Sequence, residues 1–422
     1  MRKSSLYILS AILLFILCGI TLTNSFQTAQ RKLEQQQDGV RLRELNFIHW
    51  EYIPDEVFSL FEQEHPDIKV NYTRYVKNGY SEMQRLLLLS GEKVDVMGVL
   101  GEDYQKLASD GTLMDLSGKA LLNYYNDEVR QAVRHLYDGH EYAVALRSSY
   151  YGVWYNKIFF DQYNLSVPDT YSELLWACSM FKANNISPIV IGARDEEAAG
   201  TLLLLPLFDI MDEASWENRY KLGIQSFKVD ATDLLSRTGA LIEKGYIDPE
   251  SINLTSQQAF EYFKKGKAAM IITSDQSLSL TGEDMEKVCD PGVFRIPYSN
   301  ITSELKTPAM LAQDLVAVHA GSDMTEEAQL LVEFISRPEI ARIICKATSA
   351  YPTVKNVDTS YLRYNELWMP LRSGECAQTD IYGLSEPNQT RLFDDCQSFL
   401  IGEMDTDRLV SDIESSMIIR QS

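Results

Sequence analysis

The strongest constraint on the fold of this 422-residue chain is a regular alternation of strand-like and helix-like segments that starts at Leu45. Short apolar runs of strand length alternate with longer segments whose apolar residues recur at helical spacing. The segments expected in this first part are strands 45–49, 68–72 and 94–99 and helices 55–64, 80–90 and 102–109. This βαβαβ order predicts an α/β layered unit with a mostly parallel sheet.

The same alternation begins again after Tyr150. The elements expected there are helices 171–183 and 256–264 and strands 188–191 and 268–272, with a long helical stretch before Gly245. At about 100 to 200 residues per domain, the length also suggests two or three domains, or two lobes that share one chain. The pattern therefore predicts two α/β lobes.

Charge and composition limit the function. The chain has 60 Asp and Glu against 39 Lys and Arg, a formal net charge of −21. This argues against a nucleic-acid partner, because phosphates are bound by clustered Lys and Arg. The hydrophobic content of 45% is that of a globular protein and excludes a disordered acidic tail or a multi-span membrane protein. With 23 Tyr, 16 Phe and 5 Trp, some aromatic residues are expected to line a site.

The N-terminus indicates export. Two basic residues precede an uncharged, mainly apolar stretch from Ser4 to Leu22, so residues 1–24 are interpreted as a signal or membrane anchor. Two forms are open: a degenerate lipoprotein signal with Cys18 lipidated, or an uncleaved anchor helix. Both place the rest of the chain outside the cytoplasm, anchored to the outer face of the cell membrane. The polar residues 25–44 are then a spacer.

The remaining cysteines are widely spaced. They are Cys178, Cys289, Cys345, Cys376 and Cys396. The lack of a C-x-x-C pair argues against a zinc site. An oxidising exterior allows a disulfide, for which Cys376 and Cys396 are the best pair by proximity in the sequence. The odd count leaves at least one thiol unpaired, and several cysteines are interpreted as small buried residues.

Catalytic signatures are missing from the sequence. It contains no G-x-S-x-G, H-E-x-x-H, Walker-type or G-x-G-x-x-G motif. His135 and His140 are five positions apart, the wrong spacing for two metal ligands on one helical face, and are interpreted as surface or turn residues. We therefore expect a binding protein that is not an enzyme and needs no metal or cofactor.

Five stretches carry motifs of one known family. They are LNFIHWEYIPDEVFSLFEQEHPDIKVNY, DVMGVLGEDYQKLASDGTLMDLS, DGHEYAVALRSSYYGVWYNKIFFDQYNLSVPDTYSELL, FKKGKAAMIITSDQSL and QDLVAVHAGSDMTEEAQLLVEFISRPEIARIICKATSAYPTVKNV. In this order the chain resembles the family 1 extracellular solute-binding proteins of bacterial ABC importers, the maltose-binding-like group. The resemblance covers almost all of the chain from Leu45 onward.

The resemblance implies two α/β lobes joined by hinge strands, with a ligand cleft between the lobes that closes on a solute. The expected lobes are residues 45–147 with 314–356, and residues 148–313 with 357–422. The implied function is that of an extracytoplasmic subunit that binds a carbohydrate and delivers it to an ABC permease. The alternatives are an anchored sensor coupled to a membrane histidine kinase, and a binder of a solute other than a sugar.

In such a fold the ligand groups follow the carboxyl ends of strands, where an open sheet leaves a crevice. The polar or aromatic candidates at these places, with one tryptophan from a loop that approaches ligand in the family, are Trp50, Glu51, Tyr52, Glu102, Ser149, Tyr150, Tyr151, Trp216, Asp275, Gln276, Gln313, Asp314 and Tyr351. Gln313 and Asp314 are expected to precede the return strand, and Tyr351 to lie in the last turn.

The chemistry of these candidates favours a sugar. Aromatic rings pack on the apolar face of a pyranose, and its hydroxyls donate to carboxylates and amides. An amino acid or anion would call for an Arg clamp or a helix N-terminus. Arg147 is the only cation at a predicted cleft position.

Overall fold

The computed structural model describes residues 42–135, 138–195, 198–200, 224, 226–274, 289–298, 300, 307–362, 376–378 and 386–418. The strands are β1 (Arg43–His49), β2 (Ile68–Arg74), β3 (Val96–Val99), β4 (Val144–Asn156), β5 (Ser187–Val190), β6 (Ala268–Ser274), β7 (Pro291–Phe294), β8 (Thr307–Val318), β9 (Tyr351–Pro352) and β10 (Cys376–Gln378). The helices are α1 (Asp55–Glu64), α2 (Tyr80–Ser90), α3 (Gly101–Ser109), α4 (Asp127–Ala132), α5 (Lys157–Gln162), α6 (Tyr171–Ala183), α7 (Phe227–Glu243), α8 (Ser256–Lys264), α9 (Thr325–Ile335), α10 (Pro338–Thr348), α11 (Glu386–Leu400) and α12 (Thr406–Ile418).

The first sheet is built on a parallel core. β1 lies between β2 and β3 and runs parallel to both. β8 is antiparallel to β3, and β4 is antiparallel to β8. His49 stands opposite Arg74 at the ends of β1 and β2, so the loops that follow these strands emerge at the same edge of the sheet.

The second sheet is smaller. β5 runs parallel to β6, and β6 and β7 are antiparallel to β4. Helix α6 packs on β5 and helix α8 on β6, while α7, α11 and α12 pack on one another. Along β4, Trp154 contacts Phe260 of α8, whereas Val153 belongs to the core on the other face. This period of two places helices on both faces of the second sheet.

Strand β4 belongs to both sheets. Its residues 144–150 pair with β8, and its residues 151–156 pair with β6 and β7. The change of partner falls between Tyr150 and Tyr151, within one continuous strand. The antiparallel pairs between the described strands all involve β4 or β8. Parallel pairs join β1 to β2 and β3 in the first sheet and β5 to β6 in the second. The predicted two-lobed α/β fold is confirmed.

Several helices have the predicted bounds because their ends are specified locally. Helix α6 begins after Thr170, whose side chain accepts a hydrogen bond from the backbone N–H of Glu173. The side chain of Glu173 in turn accepts from the backbone N–H of Thr170. Thr255 and Gln258 form the same capping box at the start of α8. Both signals are contained within four consecutive residues of the sequence.

Three expectations about particular residues differ from the structure. Gln313 and Asp314 do not precede the return strand but lie inside β8, because β4 already pairs with it from Met310 onward, before β3 joins at Leu315. Cys396 is a free, buried thiol on α11, so the proposed disulfide between Cys376 and Cys396 is not formed. His135, interpreted as a surface or turn residue, is buried against Ser109 at a hydrogen-bond distance of 2.9 Å.

No helix within the described ranges is long and apolar enough to cross a membrane. Cys18 and the expected anchor, residues 1–24, lie outside the described residues.

Candidate functional site

Three candidate residues and Arg147 meet in the first sheet, close to the point where β4 changes its partner strands. Trp50 and Glu51 follow β1, Arg147 lies in β4 three residues before Tyr150, and Asp314 lies in β8. We call Trp50, Glu51, Arg147 and Asp314 the Arg147 cluster. The register of β4 on β8 pairs Arg147 with Gln313, which brings the neighbouring Asp314 within reach of the guanidinium group.

Asp314 is the centre of the Arg147 cluster. Its Oδ2 accepts from Nε of Arg147, and its Oδ1 accepts from the indole Nε1 of Trp50 at 3.1 Å. A second guanidinium nitrogen of Arg147 lies 3.1 Å from Oε1 of Glu51. One cation therefore holds two carboxylates, and both oxygens of one of them are engaged.

Burial increases from Glu51 to Asp314. The side chain of Glu51 is 29% exposed, that of Arg147 12% and that of Asp314 5%. The φ of Asp314 is 55°, in the left-handed region that most L-residues avoid and that Asp tolerates better than most. This backbone conformation lets a residue inside a strand direct its carboxylate at a neighbouring element.

Three side chains hold the loop that carries Trp50 and Glu51 by hydrogen bonds to its backbone. Nδ1 of His49 accepts from the backbone N–H of Glu51 at 2.8 Å. Nε of Arg74 donates to the carbonyl of Trp50 at 3.0 Å, and the hydroxyl of Tyr72 donates to the carbonyl of Glu51. The position of the Glu51 backbone is thus fixed independently of its side chain.

The two carboxylates of the Arg147 cluster favour the charged form of Arg147. Burial acts to lower the pKa of Arg147, but Asp314 and Glu51 outweigh it and raise the pKa above its usual value. Burial lowers the pKa of His49 to about 4, so this ring is neutral at pH 7. One cation and two carboxylates leave the Arg147 cluster with one net negative charge.

The candidate aromatic residues differ in exposure. Trp50 is 5% exposed, with its indole stacked on His49 at 4.2 Å and edge-on to Tyr80 at 4.9 Å. Tyr150 and Tyr351 are buried in edge-to-face contact at 5.9 Å. Tyr52, by contrast, is 47% exposed beside Glu51.

Some of the other candidates have described side chains, and the rest lie outside the described residues. Ser149 is buried in β4, whereas Tyr151 and Gln313 are half-buried. Tyr351 lies in the short strand β9, which pairs with β4 opposite Ser148. Glu102 belongs to α3, and its side chain is outside the described residues. So are Trp216, Asp275 and Gln276.

Two residues near the site were not among the candidates. His49 is the last residue of β1, and the rule used for the sequence considered only residues after a strand. Arg147 is the cation at a predicted cleft position, and its place three residues before Tyr150 is the sequence signal that marks it. Within the described part of the chain, no group of three or more His, Cys, Asp or Glu residues is arranged to hold a metal ion.

Comparison with known proteins identifies the family. Residues 50–342 match the model of the bacterial extracellular solute-binding proteins. This match spans more than half of the chain, and the protein belongs to this family, which confirms the resemblance found in the five sequence stretches.

Individual relatives agree with this assignment. The chain is similar to the multiple sugar-binding protein of Streptococcus mutans serotype c, with 26% identity over 289 residues, 67% of each chain. A family 1 extracellular solute-binding protein from Bifidobacterium longum subsp. infantis has a TM-score of 0.76 at 15% identity, covering 90% of this chain and 99% of its own. Apo RafE of Streptococcus pneumoniae has a TM-score of 0.72 at 17% identity, covering 90% and 99%. At these identities the solved structures support the fold alone.

Proposed function

We propose that this protein is the solute-binding subunit of an ABC importer, which binds a mono- or oligosaccharide between two lobes and delivers it to the permease. The observation that carries the proposal is the partner change of β4 between Tyr150 and Tyr151. A crossing strand of this kind supports hinge closure, because a small change in its backbone angles moves one sheet relative to the other. Solute binding then favours the closed form, which docks on the permease.

The Arg147 cluster and its surroundings support a carbohydrate as the solute. Tyr52, the residue after Glu51 in the sequence, is exposed, the carboxylate of Glu51 is partly exposed, and Tyr151 and Gln313 are half-buried in β4 and β8. An aromatic ring can pack on a pyranose while a carboxylate accepts from its hydroxyls. Two relatives bear on the same point: one is named a multiple sugar-binding protein, and RafE has been solved in complex with raffinose.

The proposed site residues remain those chosen from the sequence, with Asp314 as a positioning residue because both of its oxygens are engaged by the protein. They are Trp50, Glu51, Tyr52, Glu102, Ser149, Tyr150, Tyr151, Trp216, Asp275, Gln276, Gln313, Asp314 and Tyr351. The protein acts by binding and has no catalytic activity of its own. Its N-terminus tethers it to the outer face of the cell membrane, through a lipidated Cys18 or an uncleaved anchor. Mass spectrometry of the native N-terminus separates these forms, since an intact Met1 excludes lipidation at Cys18.

Calorimetry and thermal unfolding against a solute panel test the function. The panel contains raffinose, stachyose, xylobiose and chitobiose, with amino acids, polyamines and short peptides as comparison solutes. A carbohydrate that binds the folded state raises the apparent melting temperature with concentration. A rise with a comparison solute, and none with any carbohydrate, would overturn the sugar assignment.

A further inference from the structure

We propose that the Arg147 cluster restricts the site to solutes without negative charge, with Glu51 as the carboxylate that contacts the solute and Arg147 and Asp314 as positioning residues. This inference rests on the proposed function and specifies its substrate class as uncharged carbohydrates. It also assigns a role to Arg147, a type of residue that an anion-binding protein would use as a clamp.

Arg147 is already committed to protein carboxylates. Its Nε donates to Asp314, and a second nitrogen lies 3.1 Å from Glu51. An Arg clamp for an anion needs its planar, two-pronged face for the ligand carboxylate or phosphate. Here two donors on that group serve the protein's own acids. A ligand carboxylate that approached the edge formed by Nε and this second nitrogen would have to displace one of the two acids and leave it unpaired.

The charge balance points the same way. Arg147 faces two carboxylates, and His49 behind Trp50 is neutral at pH 7 because burial lowers its pKa. The four residues of the Arg147 cluster therefore carry one net negative charge, and Arg147 and Asp314 are largely shielded from water. Arg74, which donates to the carbonyl of Trp50, is exposed, so water and salt screen its charge more strongly. Like charges repel more strongly at the Arg147 cluster than in bulk water, because the effective dielectric constant is lower. A neutral hydroxyl, in contrast, gains an acceptor without meeting this repulsion.

The different exposures of the Glu51, Arg147 and Asp314 side chains indicate which of them contacts the solute and which position it. Asp314 is 5% exposed with both oxygens engaged, and Arg147 is 12% exposed, so these side chains are held inside the structure. Glu51 is 29% exposed and uses Oε1 toward Arg147. Its Oε2 is the carboxylate oxygen best placed to accept from a solute hydroxyl. Because the backbone of Glu51 is bonded to His49 and Tyr72, this acceptor is fixed before the solute arrives.

The experiment compares neutral and acidic sugars by calorimetry. The neutral probes are raffinose, xylobiose and chitobiose, and the acidic probes are digalacturonate and xylobiose carrying a glucuronic acid. The wild-type protein is expected to bind at least one neutral probe and to bind both acidic probes at least a hundredfold more weakly. Glu51→Gln should weaken neutral binding about tenfold to a hundredfold, the range for losing a hydrogen bond to a charged group.

Freeing Arg147 should reverse the preference. The double variant Glu51→Gln with Asp314→Asn removes both negative charges and leaves the guanidinium group for the ligand. Binding of at least one acidic probe is expected to rise at least tenfold. If the double variant does not fold, Glu51→Gln alone decides, with an expected tenfold shift in the ratio of neutral to acidic affinity. The matched control is Asp358→Asn, which removes one charge from an exposed ion pair with Arg342 and should change neither affinity by more than twofold.

The outcomes separate the inference from the proposed function. If the wild type binds an acidic probe as tightly as the neutral ones, the inference is overturned and carbohydrate binding stands. The same holds if Glu51→Gln changes neutral binding by less than twofold. Failure of every neutral carbohydrate to bind overturns the proposed function and this inference with it.

Discussion

The indole of Trp50 donates a hydrogen bond of 3.1 Å to Asp314, although the two residues are 264 positions apart in the sequence. The same carboxylate accepts from Nε of Arg147 in β4. One acidic side chain in β8 therefore fixes both the loop after β1 and the charged group of the crossing strand. The geometry of the proposed site depends on β8 being in place between β3 and β4.

A double-mutant cycle on Arg147 and Asp314 should show strong coupling. Arg147→Met leaves the nearly buried carboxylate of Asp314 without its cation, so the free energy of unfolding should fall by about 3 to 5 kcal/mol. Adding Asp314→Asn removes the stranded charge, keeps an acceptor for Trp50 and tolerates the left-handed φ of 55°, so it should recover much of this loss. Urea denaturation measures all variants, with Arg342→Met in an exposed pair as a control that changes stability by less than about 0.5 kcal/mol. Strictly additive losses would contradict the coupling.

Gly98→Ala should disturb the aromatic side of the site. A Cβ at this position would lie 2.5 Å from Cδ2 of His49 and 2.8 Å from Cζ3 of Trp50. Overpacking of this kind costs about 1 to 3 kcal/mol of stability, and displacement of the indole should also weaken solute binding. Gly111→Ala is the control, because its Cβ meets open space and its φ of 71° lowers stability through backbone strain alone. Equal effects of both variants on solute affinity would argue against a role for Trp50.

Stability should fall in mild acid because of His49. Burial is the main cause that lowers its pKa to about 4, with Arg147 and Lys77 adding to the effect and Asp314 opposing it. Its unfolded pKa is about 6.5, so between these values the unfolded state binds more protons than the folded state. The free energy of unfolding should therefore decrease by about 3 kcal/mol as the pH falls from 6.5 to 4. His49→Gln should lose this part of the pH dependence in urea denaturation, and parallel curves for the two proteins would refute it.

The buried thiols should be protected in the native protein. Burial raises the pKa of Cys345 to about 12, and burial with the nearby Asp290 raises that of Cys289 to about 12. Iodoacetamide at pH 8, mapped by mass spectrometry, should leave the four buried free cysteines unmodified until guanidinium is added, because the thiolate is the reactive form. These residues are Cys178, Cys289, Cys345 and Cys396. If alkylation of Cys396 in guanidinium required a reductant, a disulfide would be present after all.

Elements with local signals were predicted best. Helices α6 and α8 begin at capping boxes written in a few neighbouring residues, and both have the predicted bounds. Strand ends were less exact: the sequence suggested that β3 starts at Val94, but pairing begins at Val96. A strand ends where its partners end, and the partners of β3 are β1 and a segment more than 200 positions later in the chain.

The order of apolar runs and the helical periodicity predict two α/β lobes, and the five motif stretches carry the resemblance to the family, because all of these patterns arise from neighbours in the chain. The composition of the site was also visible as Trp50, Glu51 and Asp314 near expected strand ends. Long-range pairing was needed to place Asp314 inside β8 and to join it to Arg147, 167 positions earlier. Periodicity shows which face of a strand is buried, but it does not specify which distant strand lies beside it or which side chains then meet.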